Sequence, residues 1–218
     1  MDAELTKQYE KGIECVKDGR YQEALPLLSA VLEDSHAEFA KVEHARMLLG
    51  FSRTQLKDWN GAIDCFRTAM INDFNCMPAQ TALGHAYIMA GRLTEAIETF
   101  TTAVQKDPKN AAAHHGLGWA LALEGTRLEE ALSETHEAVR LDPKSPAVRD
   151  SVGWTLYKLG DIEAASEQLE EAIRLDPDHP VILAHWREVR EMLKKKSQED
   201  RKAPQGRGAA DAKRGDRA

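Results

Sequence analysis

The stretch Met77 to Pro108 reads MPAQTALGHAYIMAGRLTEAIETFTTAVQKDP. Leu83, Gly84 and Tyr87 mark its first half, Ala96 and Phe100 its second, and Pro108 closes it. The same order of residue types returns as Leu117, Gly118, Leu121, Ala131 and Pro143, then as Val152, Gly153, Leu156, Ala165, Leu169 and Pro177. Upstream it appears as Leu49, Gly50, Ala62 and Phe66, and more faintly around Gly12, Ala24 and Leu28. Gly50, Gly84, Gly118 and Gly153 stand 34, 34 and 35 residues apart. A period of that size predicts stacked helix pairs, because one pair cannot bury its apolar face alone.

Counted from their first helical positions, the repeats begin at Leu5, Glu43, Met77, Ala111 and Pro146. The first helix of each pair, helix A, places small or apolar residues at positions seven, eight and eleven, which share one face at about 100° per residue. Position eight is glycine in all five repeats: Gly12, Gly50, Gly84, Gly118 and Gly153. Glycine inside a helix costs about 1 kcal/mol against alanine, so close packing of helix B is the expected reason. Helix B supplies Ala24, Ala62, Ala96, Ala131 and Ala165, with Leu28, Phe66, Phe100 and Leu169 one turn on. Repeat four has Thr135 at that place, which predicts weaker packing.

Turn residues agree with this register. Gly19, Gly91, Gly125 and Gly160 end helix A, where a positive φ is often needed. Repeat two has Lys57-Asp58 instead, so a different cap is expected there. Asn110 and Ser145 are expected N-caps, Pro146 a first-position proline, and Pro26 a tolerated first-turn proline. Gly12 and Gly50 are 38 residues apart, which predicts one extra helical turn before Glu43, capped by Ser35. After Pro177, Ile182, Trp186, Val189 and Leu193 recur at helical spacing and predict a capping helix over about 180–196. Residues 197–218, rich in Gly, Ala, Arg, Lys and Asp, have too little apolar surface to fold and read as a disordered basic tail.

The pattern L-G-x2-Y…A-x3-F…P resembles the tetratricopeptide repeat family over about residues 5–195, most specifically in repeats three to five. The resemblance implies an all-α fold: a right-handed α-solenoid of about five helix-turn-helix units, 5–38, 43–76, 77–110, 111–145 and 146–179, plus the capping helix. In that family the stripe formed by positions five, nine and twelve of helix A lines a concave groove that holds a partner peptide. Here the resemblance puts Phe51, His85, Ile88, His115, Trp119, Asp150, Trp154 and Tyr157 on that stripe as candidate partner-binding residues. Trp119 and Trp154 are expected to project in parallel, with a partner crossing repeats three to five. Some members hold a C-terminal carboxylate with Lys, Asn and Arg at positions five and nine; this chain has none of these there. The implied function is a non-enzymatic adaptor for an apolar or amphipathic peptide or helical segment. The bland reading of Phe51, Trp119 and Trp154 is that they merely fill space between neighbouring helices. The alternative function is a structural or assembly subunit that binds itself or a larger complex through its convex face or end helices.

Composition narrows the rest. The 218 residues are 42% hydrophobic and 30% charged, with a net charge of −7. From Lys194 to Ala218 the charge is +5 and the remainder carries −12, which argues against a general nucleic-acid surface. The basic tail reads as a solubilising terminus or as an electrostatic arm; it lacks aromatics for base stacking. Cys15, Cys65 and Cys76 are widely spaced and form no CxxC pair, so neither a disulfide framework nor a zinc site is expected. They read as half-buried small hydrophobes, and the eight histidines as surface or groove residues. No catalytic or phosphate-binding motif stands out, so neither a cofactor nor a small-molecule substrate is expected. With no apolar run near the roughly 18 residues of a membrane span, a cytoplasmic protein is expected.

Overall fold

The computed structural model describes residues 3–72 and 76–202. Every regular element among them is a helix: α1 (Ala3–Lys17), α2 (Tyr21–Glu33), α3 (Phe39–Gln55), α4 (Trp59–Asn72), α5 (Met77–Met89), α6 (Leu93–Lys106), α7 (Ala111–Glu124), α8 (Leu128–Leu141), α9 (Pro146–Leu159), α10 (Ile162–Leu175) and α11 (Pro180–Lys202). Each helix packs on the next. The odd-numbered helices also touch one another in series from α1 to α11, whereas the even-numbered ones do not. The odd helices, which are the A helices, therefore form the inner, concave row of an all-α solenoid. None of the described helices is long and apolar enough to cross a membrane.

The glycines at position eight explain how each pair closes. A Cβ built on Gly84 would lie 2.5 Å from the Phe100 ring, and one on Gly50 2.5 Å from Phe66. Gly12 faces Leu28 at 2.8 Å and Gly153 faces Leu169 at 2.7 Å in the same way. Leu28, Phe100 and Leu169 are fully buried, each stabilising the fold by about 1.5–3 kcal/mol. Phe100 is also wedged against Gly116 of the following helix, where any Cβ would overlap its ring. One side chain thus joins a repeat internally and to its neighbour.

The expectation of weaker packing in repeat four is not met. Thr135 is fully buried, its hydroxyl donates to the Leu132 carbonyl at 3.1 Å, and α7 and α8 share a more extensive interface than α1 and α2 or α5 and α6. A smaller side chain opposite Gly118 lets the two backbones come closer, which replaces the lost volume.

Gly19, Gly91, Gly125 and Gly160 take φ values of +74°, +74°, +80° and +88°. The cap of repeat two is not different, as expected, but the same: Lys57 adopts φ +61°. Lys57 N–H donates to Thr54 O and Asp58 N–H to Arg53 O at 3.0 and 2.8 Å, the pairing that Gly91 and Arg92 make with Ile88 and Tyr87. Asn110 and Ser145 do cap α7 and α9, accepting from Ala113 N–H and Val148 N–H. The turn before Glu43 is present, but it starts after Glu38 and Ser35 does not cap it. Instead Asp34 accepts from His36 N–H at 3.0 Å and turns the chain there. Pro26 is the sixth residue of α2, not a first-turn residue, so the Gln22 carbonyl lacks its helical donor.

Ile182 and Val189 of α11 are fully buried, and Trp186 and Leu193 pack on Ile162, Ala165 and Leu169, so α11 covers the end of repeat five. The helix runs to Lys202, beyond the expected Lys196. No glycine or proline interrupts the sequence before Pro204, and Ser197 bonds back to the Leu193 carbonyl at 2.9 Å. The proposed tail from 203 to 218 lies outside the described residues.

Two substitutions test this account by urea denaturation. Gly118→Leu should destabilise by roughly 1–3 kcal/mol, because its Cβ would lie 2.5 Å from Thr135 and 2.9 Å from the Ala131 carbonyl oxygen. Lys57→Gly should stabilise by about 1 kcal/mol, since only glycine adopts that conformation without a steric penalty. A raised midpoint for the first, or a lowered one for the second, would contradict the packing or the cap.

Candidate partner-binding groove

The inner row presents positions five, nine and twelve toward the concave side. At position nine, Phe51 on α3 is 43% exposed and His85 on α5 is exposed, while Trp119 on α7 and Trp154 on α9 are half-buried. The Phe51 ring meets Tyr21 edge-on at 5.8 Å, and His85 meets Phe100 at 5.2 Å. Ile88 is partly buried against the central core. His115 lies 6.4 Å from His85, ring to ring, and its Nε2 is 2.9 Å from the Ser151 hydroxyl.

Beyond His115 the stripe meets the chain's own last helix. α11 packs on α9 and α10 as a further helix A would, and His185 points into the groove. Its ring stacks on Trp154 with centroids 4.2 Å apart and planes 25° apart, and lies 5.9 Å from Trp119. His185 Nδ1–H donates to the buried Asp150 carboxylate, 2.9 Å from either oxygen. Tyr157 donates its hydroxyl to Glu188 at 3.0 Å; burial first, then this carboxylate, raises the phenol pKa. Trp154 Nε1–H is buried without a hydrogen-bond partner among the described residues. Trp119, Asp150, Trp154 and Tyr157 therefore sit together and already have an occupant from the same chain, whereas Phe51 and His85 do not.

The residues that most exceed the sequence reading occupy position four of helix A. Gln80 donates to the Thr99 carbonyl at 3.1 Å, and Arg149 to Gln168 Oε1 at 3.2 Å. His114, expected at the surface or in the groove, is buried instead, with Nδ1 2.6 Å from Glu134 and Nε2 3.1 Å from the Pro108 carbonyl. These side chains tie helix A to its helix B and face away from the groove. A signal was present, since position four is polar in every repeat: Gln8, Arg46, Gln80, His114 and Arg149. Cys15 and Cys65 are buried and Cys76 half-buried, all free, and burial raises the Cys65 thiol pKa. Among the described residues no group of three His, Cys, Asp or Glu could hold a metal ion.

Burial, and then His85, push the His115 pKa down to about 4. The unfolded chain takes up this proton near pH 6.5 and the folded one only near 4, so the His115 contribution to stability is present above pH 6.5 and is lost as the pH falls toward 4. Urea midpoints of wild type and His115→Gln should therefore converge or cross as the pH drops through that window and run parallel outside it. Parallel profiles throughout would contradict a neutral, desolvated ring.

Profiles of the tetratricopeptide repeat match residues 81–146 and 150–179. No curated protein matches the sequence. Among solved structures, a tetratricopeptide repeat protein from Parabacteroides merdae aligns with a TM-score of 0.73 at 14% identity, covering 92% of this chain and 77% of that one. A thermophilic protein of the same repeat type from Thermus thermophilus aligns at 0.67 and 19%, covering 85% and 98%. MamA from Desulfovibrio magneticus aligns at 0.68 and 19%, covering 83% and 99%. At such identities the likeness concerns the fold. With the repeat profiles matched and the helix pairs closed on glycine at position eight throughout, the chain belongs to the tetratricopeptide repeat family.

Proposed function

We propose that this protein is a non-enzymatic adaptor or scaffold that holds a peptide or helical segment of a partner protein in its concave groove. The observation that carries this reading is the row of side chains left uncovered on the inner helices. Phe51 and His85 are exposed in series on α3 and α5, with Ile88 beside them. An apolar ring facing water on a concave surface, as Phe51 does, favours a docked apolar segment. The segment runs along Phe51, His85 and Ile88 and ends near His115, before α11 covers Trp119. Asp150, Trp154 and Tyr157 hold α11 and form the closed end of the groove, where a longer partner abuts His185. Three free thiols suit a reducing compartment, and a cytoplasmic setting is part of this proposal.

The other reading is self-association or assembly through the convex face or end helices. The outer side of α11 weighs against stacking at that end. At the place where repeat five has Gly153 it carries Arg187, and Arg190 covers Trp186 at 4.7 Å.

Affinity capture from the native cell tests the groove. The double variant Phe51→Ala, His85→Ala should keep its helical spectrum and its mass by light scattering, yet lose partners by at least about 2 kcal/mol of binding, the scale of an aromatic hot spot. Thr102→Ala on the exposed side of α6 serves as the control and should retain them. An unchanged partner set in the groove variant, or a wild-type mass above the monomer with no partner, would favour the assembly reading.

A further inference from the structure

A cleft opens between α3 and α5 with a volume of about 530 Å³, the size of a small-ligand pocket. Phe51, Trp59, Phe66 and Met89 supply most of its apolar wall, and Met89 is 57% exposed. Lys57 stands at its rim.

The backbone singles out this lysine; its charge is without an ion pair, as are those of Lys17 and Lys158 at the ends of α1 and α9 among the described residues. Four of the five turns that end a helix A use glycine with positive φ; only here does a residue with a side chain take that conformation. The cap hydrogen bonds to Thr54 and Arg53 hold this backbone against its steric penalty and set the Lys57 side chain at the cleft. Arginines near other helix-A ends are neutralised: Arg20 by Asp18 and Glu23, Arg92 by Glu95, and Arg127 by Glu124. Arg53 beside it pairs with Asp58 at 3.8 Å. Lys57 enters no ion pair or side-chain hydrogen bond among the described residues.

Building on the groove reading, we infer that this cleft takes an aromatic or large aliphatic side chain of a partner segment that carries an acidic residue beside it. The side chain buries against Phe51, Trp59 and Met89, and the neighbouring carboxylate pairs with the Lys57 ammonium. Charge makes the choice informative. Outside its last 25 residues the chain carries −12, so without Lys57 the body would favour a basic segment.

Methyl spectra of protein labelled at the methionine ε-carbons test this, with the Met89 signal identified by Met89→Leu. The probes are two capped hexapeptides of alanine with one Phe, followed by Glu in one and by Lys in the other. The Glu peptide should shift Met89 and bind about five-fold more tightly than its Lys twin, the upper range of an exposed ion pair. Lys57→Glu should reverse the order, and Lys57→Gly should abolish the preference while the protein remains folded. Equal binding of both peptides to wild type, an order unchanged in Lys57→Glu, or no shift at Met89 would overturn the inference. The groove reading fails separately: if Phe51→Ala, His85→Ala abolishes capture of native partners while the peptides show no charge preference, the groove stands and only the role of Lys57 falls.

Discussion

The contact between a glycine on one helix and a large side chain on its partner governs this architecture. A glycine at position eight removes the atoms that would hold helix A and helix B apart, and Phe66, Phe100, Leu28 or Leu169 fills the space released. Because the contact is tight, the helices have little freedom to slide or rotate past one another. Phe100 extends it by pressing on Gly116 of the next repeat, so the stacking of units follows from the same principle as the closing of each unit. Where the large residue is replaced by Thr135, the gap closes by approach of the helices.

Once the A helices are set in an inner row, their remaining positions acquire distinct duties. Position four turns toward helix B and hydrogen-bonds to it, as with Gln80, His114 and Arg149. Position five reaches toward position six of the next A helix, giving the His115–Ser151 and Asp150–His185 pairs. Position nine faces the groove. α11 joins this scheme as a sixth inner helix without a helix B behind it. Its His185 closes over Trp154 and Asp150, which leaves the α3–α5 end of the concave face as the uncovered part.

The open end is also where the turn pattern breaks. A lysine in a conformation that the other four repeats reserve for glycine trades backbone strain for a charge at the rim of an apolar cleft. Fold alone does not assign what such a cleft would recognise.

By itself the sequence determined whatever follows from spacing along one chain. The 34-residue period set the register of the helix pairs, and the fixed interval from glycine to Leu28, Phe66, Phe100 or Leu169 identified which residues meet. Local chemistry placed the caps at Asn110 and Ser145 and the apolar face of α11. Only the tertiary structure decided which face of one repeat meets which residue of another. Asp150 and His185 are 35 residues apart, and Tyr157 and Glu188 are 31; the period sets such residues on neighbouring helices, but their contact lies off the repeating core face and depends on how the helices stack. Lys57 is a similar case: its composition argues against a positive φ, and the hydrogen bonds to Thr54 and Arg53 at the end of a packed helix impose it. Periodicity tells which side of a helix turns inward; what waits on that side depends on how the helices are stacked.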